Sequence, residues 1–311
     1  MYSTLPARSS ASLTSMVAIE ARRFARHPLF LLGVVIALAL EAWVFFADGV
    51  TVSEDTTHAI DMLSHPIIPA FFIGLTSLVV AARLTRSTEV SAEAMGTAPG
   101  TEAQRTLAVA GACLVPFVAG VAWLAELFIL LQIRGVHPYE LWFGTMNDLH
   151  VWSILVALGP VACLGGAVLG VLVGRWLRFP GAPAVAVVVV AIGTMVGSLP
   201  YSYTDQGHLR VWVPWAMWHT GTMSDGEAWE GVPGYAQAVL TGNPATYLLY
   251  ALALCALAVA GAVWHDRTAR TARLRLVCWG LVALVVALYL TTAFTGIEEM
   301  IVSRPIPPLE G

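Results

Sequence analysis

The chain has no lysine; all sixteen basic residues are arginine. A P-loop places its lysine on the β- and γ-phosphates, so this chain carries no such ATPase site. A retinal Schiff base also needs a lysine, which excludes a retinal pump. Charge of either sign is scarce, at 12% of residues against 58% hydrophobic, with mean hydropathy +0.74. A soluble domain carries roughly 25% charged residues. A chain this apolar reads as a polytopic membrane protein. The cysteines, Cys113, Cys163, Cys255 and Cys278, all lie inside apolar runs and form no CxxC pair. They read as small buried hydrophobes. No cleavable signal peptide is expected, because the first apolar run starts late, near Leu29, and has full span length. No internal repeat is visible, so the inverted-repeat signature of many secondary transporters is missing.

What is present is a series of long apolar runs. Seven reach about 20 residues, the length that crosses a bilayer. They lie near 29–47, 64–82, 106–132, 151–173, 182–200, 244–264 and 276–296. Arginine placement orients them. With a cytoplasmic N-terminus, thirteen of the sixteen arginines fall inside, and only Arg134, Arg210 and Arg304 fall outside. Thirteen acidic residues fall outside on the same assignment. The C-terminus is then outside.

The intervals between runs have their own character. Residues 1–12 read as a disordered polar tail. Residues 13–28 predict a cytoplasmic interfacial helix, with Leu13, Met16, Val17, Ala21 and Phe24 on one face and Arg22, Arg23 and Arg26 opposite. Glu20 falls on the apolar face, so that face is expected to meet protein. Residues 83–105 form the longest polar interval on the arginine side. Ser87 or Thr88 is expected to cap a short helix carrying Glu89 in its first turn. Gly96, Pro99 and Gly100 would end it, and Thr101 with Gln104 fits a capping box for the next run. Outer loop 201–243 holds Trp212, Trp215, Trp218 and Trp229 and suits a membrane-interface segment or a folded cap.

In this order the parts resemble the membrane subunit of a type-2 ATP-binding cassette (ABC) transporter, the permease of exporter-class systems. IEARRFARHPLF, with Glu20, Arg22, Arg23 and Pro28, is similar to the helix by which that class enters the membrane. EAMGTAPGTEAQRTLA, with Glu93, Pro99 and Arg105, resembles its loop before the third span. NPATYLLYALALCALAVAGAVWHDR resembles its closing span. The resemblance covers roughly residues 13–270. It implies an all-α polytopic bundle with a six-span core over 29–265, coupling loop 83–105 included; residues 266–311, with the seventh apolar run, depart from it and read as a further span and an outer tail. It implies a pathway formed with a second permease subunit, identical or not, and surrounded by membrane lipid. It also implies a cytoplasmic ATPase subunit that binds the ATP, with no cofactor in this chain and no nucleic-acid partner. Coupling to that ATPase would run through Glu20, Arg22, Arg23, Glu89, Glu93, Pro99 and Arg105. The implied location is the cell (plasma) membrane and the implied cargo an exported amphipathic or lipid-like compound. The class usually has six spans, so either a span is added here or the sixth run does not cross.

Two carboxylates lie inside runs. Glu41 and Glu126 sit in the outer halves of the first and third, where a charge is costly. Each reads either as pathway lining and proton relay or as a structural hydrogen bond. They carry the competing reading of an ion-coupled carrier. His58 and His65 flank Asp61, a weak metal pattern. Glu298, Glu299 and Arg304 approach an intramembrane-protease motif, but at the wrong spacing and with no downstream histidine. No nucleophile–base pair supports an enzyme.

Overall fold

The computed structural model describes residues 9–47, 65–95, 101–133, 148–177, 179–198, 236–240, 243–295 and 299–303. The outer loop's tryptophans, His58, Asp61, Pro99 and Glu298 lie outside the described residues. The described chain is a polytopic bundle of helices with one small antiparallel ribbon.

Helix α1 (Ser9–Ala25) leads into α2 (Pro28–Ala47). The elbow follows from local chemistry. Pro28 opens α2, where its missing N–H needs no partner. His27 Nδ1 accepts the Leu29 N–H at 3.2 Å, and the Phe24 and Phe30 rings meet edge to face at 5.3 Å. The next helix starts with one turn, Ile67–Pro69, passes through a π-helical segment (Ala70–Leu75) and continues as α3 (Thr76–Met95). Then come α4 (Glu102–Ala112) and α5 (Leu114–Ile133). They are one long apolar rod broken at Cys113. Pro116 cannot donate to the carbonyl a turn behind it, which loosens the ladder there.

After α6 (Asp148–Val156) a second π-helical segment (Ala157–Val161) contains Pro160, and α7 (Ala162–Trp176) follows. The chain continues through α8 (Ala182–Ser198), α9 (Pro244–Val263) and α10 (Ala272–Phe294). Strands β1 (Ala236–Leu240) and β2 (Glu299–Ser303) pair antiparallel. Among the described residues six helices are long and apolar enough to cross a membrane, and Ala182–Thr194 is a shorter apolar stretch. The run at 276–296 corresponds to one of the six, Ala272–Thr292.

Helix α7 is the centre. Gly166, Gly170 and Gly174 recur every fourth residue and form a flat stripe along it. A Cβ on Gly170 would stand 2.2 Å from the Leu78 carbonyl oxygen, and one on Gly166 would stand 2.3 Å from that of Gly74. Backbone therefore meets backbone between α7 and α3. Such approach is the usual basis of helix association where no hydrophobic effect drives it. Gly120 of α5 is pressed against Pro160 in the same way: a Cβ there would stand 2.7 Å from the Pro160 Cα. Around α7 lie two large apolar cores and a smaller one about Ala82, Val173 and Ala182. Phe45, Trp123, Leu127, Ile154, Leu155 and Tyr247 fill one. Phe24, Phe30, Ile73, Val80, Val109 and Val171 fill the other. Helix α10 is peripheral and packs chiefly on α9.

The chain path separates the two ends of the bundle. Asp266, after α9, bonds the start of α4, and Arg86 of α3 bonds the turn after α7. These ends share one face with α1, the arginine-rich face. At the opposite end the Asn243 N–H donates to Thr292 O, joining the start of α9 to the end of α10. The β1–β2 ribbon sits beside them. Helix α8 leaves the arginine-rich face, and the chain is next described at β1, on the opposite end.

One element departs from expectation. No helix starts at Ser87 or Thr88. Helix α3 runs unbroken through both to Met95. Ser87 Oγ donates back to Leu84 O at 2.9 Å, as a mid-helix serine can. No glycine or proline lies between Arg83 and Met95 to interrupt it. From Ile67 to Met95 this rod is about 43 Å long at ~1.5 Å per residue, more than the ~30 Å hydrocarbon core. The capping box is present: Gln104 N–H donates to Thr101 Oγ1 at 3.2 Å, and Thr101 N–H to Gln104 Oε1 at 3.0 Å.

Candidate functional site

The arginine-rich face is built from four junctions. The first ties α1 to α3. Arg23 Nη1 donates to both oxygens of Glu20, at 2.8 and 3.0 Å, and its Nη2 donates to Ser87 Oγ at 3.0 Å. Glu20 is buried on the apolar side of α1, and that side packs on α4, with Val17 against Gly111. The misplaced acid thus serves to aim Arg23 at α3. Arg22 is exposed.

The second junction ties α3 to the turn after α7. Arg86 Nη2 donates to the carbonyls of Leu177 and Phe179, the latter at 2.9 Å. A cation at a helix C-terminus meets carbonyls that have no partner within the helix. The basic segment GRWLRFPG is therefore held by an arginine from another helix.

The third and fourth junctions meet at the start of α4. Glu102 Oε1 lies 2.6 Å from His265 Nδ1 and 3.7 Å from Arg175 Nη1. Arg175 is fully buried in the last turn of α7. Next to Glu102, the Ala103 N–H donates to Asp266 Oδ2 at 3.0 Å. Asp266 Oδ1 also accepts from the Thr268 N–H and hydroxyl, at 2.8 and 2.7 Å. Burial pushes the Asp266 carboxyl up, but these donors and the Ala269 N–H outweigh it and hold the group below the usual carboxylate range. His27, at the elbow, is held below its ordinary range by burial and by the Arg83 charge. Trp176 Nε1 donates to Gly261 O at 2.9 Å, and its ring meets His265 edge to face at 5.4 Å.

These contacts join α1, α3, α4, α7 and α9 through side chains at one end. Of the sequence-predicted coupling residues, Glu20 and Arg23 are in this network, and Arg105 is half-buried in α4. Glu89 and Glu93 lie on the last turns of α3, which place them at its protruding tip; their side chains are outside the described set. Sequence reasoning missed Arg86, Glu102, Arg175, His265 and Asp266. A visible signal existed for two of them. Glu102 and Asp266 are acids in otherwise arginine-rich segments, where only a specific partner favours an acid.

The carboxylates in the opposite half are brought together. Glu41 is fully buried. Its Oε1 lies 2.6 Å from His65 Nδ1, and its Oε2 accepts from Trp123 Nε1 at 3.0 Å. Glu126 stands one turn beyond Trp123 on α5. Its Oε2 is buried and has no hydrogen-bond partner among the described residues. His65, one of the two histidines of the weak metal pattern, is thus the neighbour of Glu41. Among the described residues no group of three or more His, Cys, Asp or Glu is placed to hold a metal ion.

No family model, curated protein or solved structure matches this chain.

Proposed function

We propose that this chain is the membrane subunit of an ABC-type exporter, working with a cytoplasmic ATPase subunit that binds ATP and with a second permease subunit. The observation that carries the reading is the linked arginine-rich face. A partner pressing on the tip of α3 moves Arg86 and Ser87. Through them it moves the α7 turn and α1, and through α4 it reaches Glu102, His265 and the end of α9. A docking element needs this kind of stiffness, because a push must arrive at several spans together. In this reading the protein sits in the cell membrane with α1 and the arginine-rich face in the cytoplasm. Membrane lipid surrounds the bundle, and the apolar pathway suits an amphipathic or lipid-like cargo. Glu89, Glu93, Pro99 and Arg105 make or flank the contact with the ATPase.

The test is uncoupling. Glu93→Arg or Pro99→Ala is expected to leave the folded protein in the membrane and ATP hydrolysis intact, while substrate movement is lost. Unchanged transport in either variant contradicts the docking role.

A second reading has one observation in its favour: the unpartnered buried oxygen of Glu126 near the Glu41–His65 pair. An ion-coupled carrier would use Glu41 and Glu126 as its binding carboxylates. Transport that survives Glu126→Gln and needs ATP removes it.

A further inference from the structure

Beside the coupling network, on its lipid-facing side, lies an open groove of about 820 Å³ between α7, α9 and α10. This is within the roughly 300–1,000 Å³ of small-molecule sites. The groove exists because α10 leans on α9 and leaves a wedge towards α7. Its floor is aliphatic: Leu172, Leu257, Val282 and the bare backbone of Gly261. Its polar end is framed by Trp176, Trp264, Trp279 and Arg275. On α10, Arg275, Cys278, Trp279 and Val282 are spaced three, four and seven residues apart, so they present one face. That face runs about 10 Å along the helix at ~1.5 Å per residue.

Three features of the groove bear on its occupant. Tryptophans mark the depth where hydrocarbon gives way to headgroups. The lining is apolar inward of them and cationic at them. Arg275 is exposed and meets no carboxylate among the described residues, and Arg267, Arg270 and Arg273 lie within the eight residues before it, with Arg270 stacked 5.7 Å over Trp264. Glu102 and Asp266, two acids of this face, are engaged with His265, Arg175, Thr268 and Ala103. An identical copy packed here about a two-fold axis would set this arginine cluster against itself. A lipid phosphate would instead meet a matching charge.

We propose that this groove binds an anionic glycerophospholipid from the leaflet on the arginine-rich side, its phosphate at Arg275 and an acyl chain over Gly261. The site needs only that the bundle lies in a membrane, so it stands whether or not the exporter reading does. The lipid would wedge α10 against α7 beside Trp176, whose indole already holds Gly261.

Native mass spectrometry of the full chain in mild detergent tests this, with dioleoyl phosphatidylglycerol and dioleoyl phosphatidylcholine as probes and inorganic phosphate as competitor. One retained phosphatidylglycerol per chain is expected, held at least about fivefold more tightly than phosphatidylcholine, since one arginine at a membrane surface accounts for about that factor. Arg275→Gln should erase the preference, and Cys278→Trp, which fills the groove, should remove both lipids. Arg275 is exposed, so its variant decides the matter even if Cys278→Trp does not fold. Equal retention of the two lipids by the wild type overturns the proposal. So does displacement of phosphatidylglycerol by millimolar phosphate, or a dimer that Cys278→Trp dissociates, which would make the groove a subunit interface.

Discussion

Gly170→Ala isolates the contact on which the bundle is centred. The added methyl would stand 2.2 Å from the Leu78 carbonyl oxygen and 2.9 Å from both its carbonyl carbon and its Cα. Ordinary contacts of that kind begin near 3.4 Å, so α7 and α3 must separate by about 1 Å. Backbone cannot swing aside as a flexible side chain can. Overpacking of this sort costs about 1–3 kcal/mol. It acts against the gain of roughly 0.5–1 kcal/mol that alanine brings over glycine inside a helix. The controls are internal. A Cβ at Gly193 or at Gly280 would meet nothing within 4 Å. Gly280→Ala and Gly193→Ala should therefore be neutral or slightly stabilising. Unfolding of the purified protein in mixed micelles with increasing sodium dodecyl sulfate measures all three. If Gly170→Ala unfolds together with Gly280→Ala, the close α3–α7 packing is wrong.

Three further outcomes follow from the site geometry. Asp266→Ala removes a cap and the acceptor of Ala103 N–H, and should cost about 1–2 kcal/mol of stability in the same titration. Because the Asp266 carboxyl is held low in the fold, its contribution is present above the ordinary carboxylate range and is lost as pH falls through its lower folded value. Wild type should lose this increment in acid and Asp266→Ala should not. Glu41→Ala strands the buried Trp123 N–H and should cost about 1–3 kcal/mol, whereas Glu41→Gln keeps an acceptor and should cost less; equal losses would show that Trp123 does not depend on Glu41. Arg86→Ala should leave the protein folded but free the turn after α7, so limited proteolysis near Phe179 should speed up; an unchanged rate contradicts the clamp.

Much of the helical framework was legible because membrane helices announce themselves by length and hydropathy. The Thr101–Gln104 box was legible because capping chemistry is local. The α3 extension was not. Ser87 and Thr88 have the composition of a cap, and only the absence of any breaker before Gly96 favours continuity. The glycine stripe of α7 was present in the text as GGAVLGVLVG, but its meaning depends on which helix lies opposite. The junctions were hidden for the same reason. Glu102 and His265 are separated by most of the chain, and no local pattern pairs them. Glu41 illustrates the middle case. Its residue type inside a run foretold a partner, but its two partners come from distant parts of the chain, Trp123 from α5 and His65 from the turn before Ile67, at the edge of an apolar run.

The central claim, that the arginine-rich face docks an ATPase, is tested most directly by a native pull-down. The tagged protein is solubilised from its own host's membranes in mild detergent with ATP present. The account predicts a co-purifying ATPase subunit at about one per copy. Recovery of the protein alone, with transport activity retained after reconstitution, would contradict it.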